Sequence, residues 1–110
     1  MIALHVTLTA KAGKKAELET AISEKWLPTM AEQPGFLRSA LLKPVYEEEF
    51  ARICGTTAEH EFEVVAFWES TKHVLSWAKS EVHDDAFAPV LKAGDTFVSA
   101  LGSVARTLRM

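Results

Sequence analysis

The segment EFEVVAFWESTKHVLSWA, residues 61–78, changes its hydrophobic period halfway along. In residues 61–68, Phe62, Val64, Ala66 and Trp68 fall on one side of an extended chain, with Val65 and Phe67 on the other. A period of two marks a strand, because successive side chains of an extended backbone point to opposite faces. Bulky groups on both faces predict a central strand, buried on both sides. Ser70 then offers a side-chain oxygen to the free amides of a helix beginning at Thr71. Val74, Leu75, Ala78 and Val82 give that helix its apolar stripe.

Working outward, residues 2–9 alternate large apolar side chains (Ile2, Leu4, Val6, Leu8) with small or polar ones and predict a first strand. After Gly13 the period lengthens. Leu18, Ala21, Ile22, Trp26 and Met30 share one helical face, and Pro28 should kink or stop that helix at Leu27. EQPGF, residues 32–36, is a turn signal. Residues 36–43 read as a second strand, and Pro44 marks its end as an edge or a break. Residues 45–60 fit either a hairpin extension or a short helical turn around YEEEFAR, and they are candidates to cover a pocket. A second helix from about Glu81 is expected to end before Pro89. Gly94-Asp95 reads as a turn, residues 96–100 are ambiguous, and residues 103–109 are expected to form the last strand.

The resulting order, β-α-β-β-α-β, predicts a ferredoxin-like α+β domain with an antiparallel sheet. With 110 residues, one domain spanning residues 1–110 is expected. Helices on one face leave the other face of the sheet needing cover. A homodimer in which two sheets face each other would supply it.

Composition removes several function classes. A net charge of −3 and scattered Lys and Arg argue against nucleic acid as a partner. No apolar run reaches membrane-spanning length, and no signal peptide is apparent, so no membrane partner and a cytoplasmic location are expected. Cys54, the single cysteine, cannot form an intrachain disulfide and has no evident base beside it. Glu47-Glu48-Glu49 reads as a solvated loop. His83-Asp84-Asp85 makes a poor chelate because adjacent helical residues diverge, so no metal site is expected. Without a Gly-rich phosphate loop, a GxSxG elbow or a CxxC pair, no cofactor is expected either.

QPGFLRSALL (residues 33–42), VVAFWES (64–70) and the spacing from Trp77 to SEVH (80–83) resemble the antibiotic biosynthesis monooxygenase superfamily. The resemblance runs from the first strand to about Leu91. It implies a dimeric α+β barrel in which two subunits combine. It also implies one of several activities: a cofactor-independent quinol or anthrone oxygenase, a haem-degrading oxygenase, or a phospho-sugar isomerase. The haem-degrading branch also carries a Trp at the position of Trp77, but its axial His lies ten residues on, where this chain has Phe87. Its pocket Asn on the first strand corresponds to Val6, next to His5.

The resemblance makes His83 the leading base or substrate partner, since many members carry a His at the start of the short second helix. A helix N-terminus also favours a neutral ring over a charged one. Trp77 follows His73 by four residues, so both are expected on one side of the helix. An indole there would provide a flat wall and one N–H donor. For both His83 and Trp77, simple packing is the plainer alternative. His5 is a second candidate base on the first strand. Phe67 and Phe87 are expected to line the cavity, and Arg38 or Arg106 to hold an anionic group. Trp68, Trp26 and Met30 read as core, with Trp26 able to reach the rim of the pocket.

These readings favour a cofactor-independent monooxygenase that joins O2 to an electron-rich anthrone, hydroquinone or polyketide-like phenol. The alternatives are a non-catalytic small-ligand or haem-binding dimer, and an isomerase of a small carbonyl compound.

Overall fold

The computed structural model of the chain describes residues 1–55 and 59–108. Four strands alternate with helices in the order β1 (Ile2–Ala10), α1 (Lys15–Ala21), a π-helical turn (Ile22–Trp26), α2 (Leu27–Ala31), β2 (Phe36–Leu42), α3 (Glu48–Cys54), β3 (Phe62–Trp68), α4 (Thr71–Ala78), α5 (Glu81–Ala93) and β4 (Gly94–Ser103). The sheet is antiparallel throughout, in the order β2-β3-β1-β4. This is the ferredoxin-like α+β topology that the sequence predicts, with α3 added between the middle strands.

The period of two in β1 and β3 decides which residues meet the helices. Val6 stands opposite Val64, and Leu8 opposite Phe62, so even-numbered side chains of both strands share one face. Phe62, Val64, Ala66 and Trp68 are fully buried there, packed with Leu18, Ile22 and Met30 from the first helical segment and Val90 from α5. Each such side chain contributes roughly 1.5–3 kcal/mol by leaving water. The odd-numbered face carries Ala3, His5 and Thr7, then Glu63, Val65 and Phe67, then Arg38 and Ala40 in register. It meets no helix. β3 is therefore central, as expected, but buried on one side only within the chain: its odd-numbered residues are half-buried.

Three expectations are corrected and one alternative is decided. Of the kink or stop expected at Pro28, the first helical segment does not stop at Leu27. It runs on to Ala31, because the π turn immediately ahead of Pro28 relieves the clash between a proline ring and the carbonyl of the preceding turn. Pro89 does not end α5. Ala86, Phe87, Val90 and Ala93 all pack into the core, and that burial outweighs the lost hydrogen bond. The last strand lies at Gly94–Ser103 rather than 103–109, and residues 104–108 have no regular structure. The buried stripe of α4 is Val74 and Trp77, whereas Leu75 and Val82 are about half exposed.

In the uncertain stretch 45–60, α3 resolves the choice in favour of a helical turn, with none of its residues buried. Readings that touch residues 56–58 and Arg109 lie outside the described residues.

Candidate functional site

A cavity of about 270 Å³ opens between the helical layer and the β1–β4 half of the sheet. Its floor is Leu4 and Val6 from β1 and Phe97, Ser99 and Leu101 from β4; Trp26, Trp77, His83 and Phe87 close it from the helices. The volume sits just under the range of about 300–1,000 Å³ usual for drug-sized ligands, so it suits two or three fused rings.

The aromatic rings form a continuous set. His83 stacks on Phe87 at 5.2 Å between centroids, with 20° between the planes, and Trp77 meets His83 edge-on at 4.8 Å. Trp26 tilts against Phe87 at 4.9 Å, and Phe97 meets Phe87 edge-on at 5.4 Å. Trp77 is 3% exposed and the His83 side chain 17%, so both are held rather than free.

Ser80 fixes their relation. As the N-cap of α5 it accepts from the His83 amide at 3.1 Å, and its hydroxyl donates to the Trp77 carbonyl at 2.7 Å. One side chain thus joins the end of α4 to the start of α5 and sets the imidazole beside the indole.

His83 Nδ1 is buried without a hydrogen-bond partner. The nearest carboxylate oxygen, on the exposed Asp84, is 3.6 Å away, too far for a hydrogen bond. With Nδ1 shielded, Nε2 is the nitrogen left to meet a ligand. Trp26 Nε1 is also buried and unpartnered. An apolar cavity with one imidazole can orient a flat aromatic by ring contacts and exchange a single proton with it.

The other sequence candidates stand elsewhere. His5 lies on the opposite face of the sheet, where Nε2 pairs with Glu63 Oε1. Phe67 shares that face, with the Arg38 guanidinium 5.3 Å above its ring. His73 does not follow Trp77 into the cavity. Its Nδ1 lies 2.7 Å from Ser70 Oγ, and its ring packs on Gly35. Arg106 follows β4 and is exposed. The segment around α3 does not cover the cavity; it borders a separate, wider groove of about 680 Å³ with Lys15, Tyr46, Phe50, His60 and Glu63 on its walls. That groove is open and mixes both signs of charge, with no convergent set of reactive groups.

Among the described residues no three His, Cys, Asp or Glu side chains come together to hold a metal. Nor does the cavity fit a haem: its volume is small for a macrocycle, and its one imidazole is packed between Trp77 and Phe87.

Trp26 packs in the core and also reaches the cavity, as sequence reasoning allowed. Phe97, Ser99 and Leu101 were missed, although their period-two spacing was a usable strand signal. Ser80 was missed as a positioning group; a Ser three residues before His83 is the matching N-cap signal.

Residues 1–89 match the family model described as antibiotic biosynthesis monooxygenase. No curated protein matches the sequence. Among solved structures, SnoaB from Streptomyces nogalater, described as a cofactor-independent oxygenase, is 18% identical with a TM-score of 0.75, over 99% of this chain and 97% of its own. The protein At3g17210 from Arabidopsis thaliana is 13% identical with a TM-score of 0.78, over 99% and 100%. A dimeric ferredoxin-like protein of unknown function from Thermobifida fusca is 17% identical with a TM-score of 0.66, over 94% and 90%. At these identities the likeness is one of fold.

Proposed function

We propose, from the premise that this chain belongs to the antibiotic biosynthesis monooxygenase family, that it is a single-domain, cofactor-independent oxygenase of an electron-rich aromatic and works as a homodimer. The observation that carries the reading is the aromatic cavity in which His83 is the only imidazole among the described residues.

O2 in its triplet state reacts slowly with closed-shell molecules, but an enolate or phenolate can pass it one electron. The protein's task is then to form that anion in a dry place. His83 takes the proton from the bound substrate, and the resulting ion pair is neutral as a whole. The Trp77 face orients the ring system, and its N–H is the donor offered to the developing oxyanion. Phe87, Phe97 and Trp26 exclude water. For an anthrone the balance is simple: the CH2 loses both hydrogens, one oxygen atom of O2 becomes the new carbonyl, and the other leaves as water. The substrate is its own reductant.

An isomerase of a small carbonyl compound would need several polar groups in contact with it. Besides the imidazole, the side chains lining the cavity among the described residues provide indole N–H groups and the Ser99 hydroxyl.

Dimerisation is supported by the surface. The chain exposes 7467 Å², whereas a compact monomer of its mass exposes about 6,000 Å². Its extents are 42 × 39 × 19 Å, the shape of a plate with one sheet face bare. The ferredoxin-like structure from Thermobifida fusca is described as dimeric.

Oxygen uptake with an anthrone such as dithranol tests the activity. Uptake should exceed the spontaneous rate, fall by about 100-fold or more in His83→Ala, and fall by about 10-fold in Trp77→Phe. Uptake no faster than in buffer would leave a binding protein rather than an oxygenase.

A further inference from the structure

We infer that the cavity selects neutral phenols and rejects aromatics that carry a free carboxylate. This deepens the reading given above and rests on the same site. Among the described residues no Lys, Arg, Asp or Glu side chain lines the cavity. Of the two arginines the sequence offered to hold an anion, Arg38 lies over Phe67 on the far face of the sheet, and Arg106 follows β4, is exposed and does not line the cavity. Glu81 and Asp84 occupy the first turn of α5, and Asp84 Oδ1 is 3.6 Å from His83 Nδ1.

One feature opposes this. The N-terminus of α5 carries a partial positive charge that favours an anion. Here it is already answered, since Ser80 Oγ takes the His83 amide and the two acidic side chains offset the dipole.

Proton accounting then separates the two ligand classes. A phenol enters uncharged and hands one proton to His83, so the cavity never holds net charge. A carboxylate brings a charge that no side chain among the described lining residues answers, and stripping water from it against apolar walls is disfavoured. The substrate class is therefore a two- or three-ring phenol whose acidic groups are absent or masked as ester or amide. The reaction that supplies it must be one that removes or caps a free carboxylate, or never makes one.

Calorimetric titration of the whole protein with 1-naphthol, 4-hydroxy-1-naphthoic acid and the methyl ester of that acid tests this. Slightly acidic buffer keeps the phenols neutral and the acid ionised. The ester separates charge from size, being the larger of the two. The ester should bind about 30-fold or more tightly than the acid, equivalent to about 2 kcal/mol. Ser99→Lys, which sets a cation on the cavity floor, should narrow the preference for ester over acid by about 10-fold, whatever it does to the affinity of both. Binding of acid and ester with equal affinity to the unaltered protein would overturn the inference, as would failure of both neutral compounds to bind. Oxygen uptake is read separately. Ester selectivity without uptake removes the oxygenase and keeps the selectivity; uptake without selectivity does the reverse.

Discussion

Gly35 and His73 show how one residue's shape is set by a neighbour distant in sequence. Gly35 has φ +83°, and a Cβ built there would lie 2.2 Å from His73 Cγ. Gly35→Ala should thus cost roughly 3 kcal/mol, from backbone strain together with overpacking against the imidazole. Gly13 has φ +76° with nothing within 4 Å. Gly13→Ala should cost only about 1 kcal/mol, from the backbone alone. Urea denaturation of the two variants measures the difference, and equal losses would mean the His73 contact is slack. The same contact explains why spacing misled. His73 and Trp77 are four apart, yet one is held by Ser70 and Gly35 while the other reaches the cavity. Helical spacing gives a shared side of the helix, but each side chain's neighbour decides what it meets. Trp77 and His83 were legible as site candidates because of family-like spacing. Phe67, His5 and Arg38 went to the other face, because strand parity, not residue type, decides the side.

At the scale of elements, the Ser70 cap was readable, while the Ser80 cap and the fate of the prolines were not. Ser70 accepts from the His73 amide at 3.3 Å, as a Ser directly ahead of an amphipathic run predicts. Ser80→Ala removes the α5 cap and the link to Trp77 together. It should cost about 1 kcal/mol of stability and lower turnover more than stability, because it frees His83 relative to Trp77. Thermal unfolding and oxygen uptake on the same preparation check both parts. Pro28 and Pro89 misled because a breaker is a local penalty, and packing of the segment around it is a larger, non-local gain. Pro89→Ala restores a helical N–H in α5. It should stabilise by roughly 2 kcal/mol, the relief of a mid-helix proline less the entropy returned to the unfolded chain. A lower midpoint in urea would show that the proline's fixed angle supports the seating of Phe87. β4 was hard to read for a different reason. Phe97, Val98 and Leu101 are all about half exposed or more, so their alternation separates cavity from outer surface, not core from solvent.

For the whole molecule, the bare sheet face is the main unbalanced surface. Val65 sits at its centre, between Ala40 on β2 and His5 on β1, with Ala100 of β4 next in the row. Val65→Arg should leave the chain monomeric where the proposed sheet-to-sheet dimer is the assembly, since two copies would bring like charges together at the centre of that interface. Sedimentation equilibrium reads this directly, and a dimer that survives the substitution would place the interface elsewhere. The sequence by itself determined the strand–helix order, the inward face of β1 and β3, and the Ser70 cap of α4. All of these rest on period and near-neighbour chemistry, which a chain carries locally. Only the tertiary structure decided that the helices pass through their prolines, that β4 begins at Gly94, and that Trp26 and Phe97 complete a cavity on the helical side. Those outcomes depend on which surfaces meet, and the energy of a meeting belongs to both partners and is written in neither segment alone.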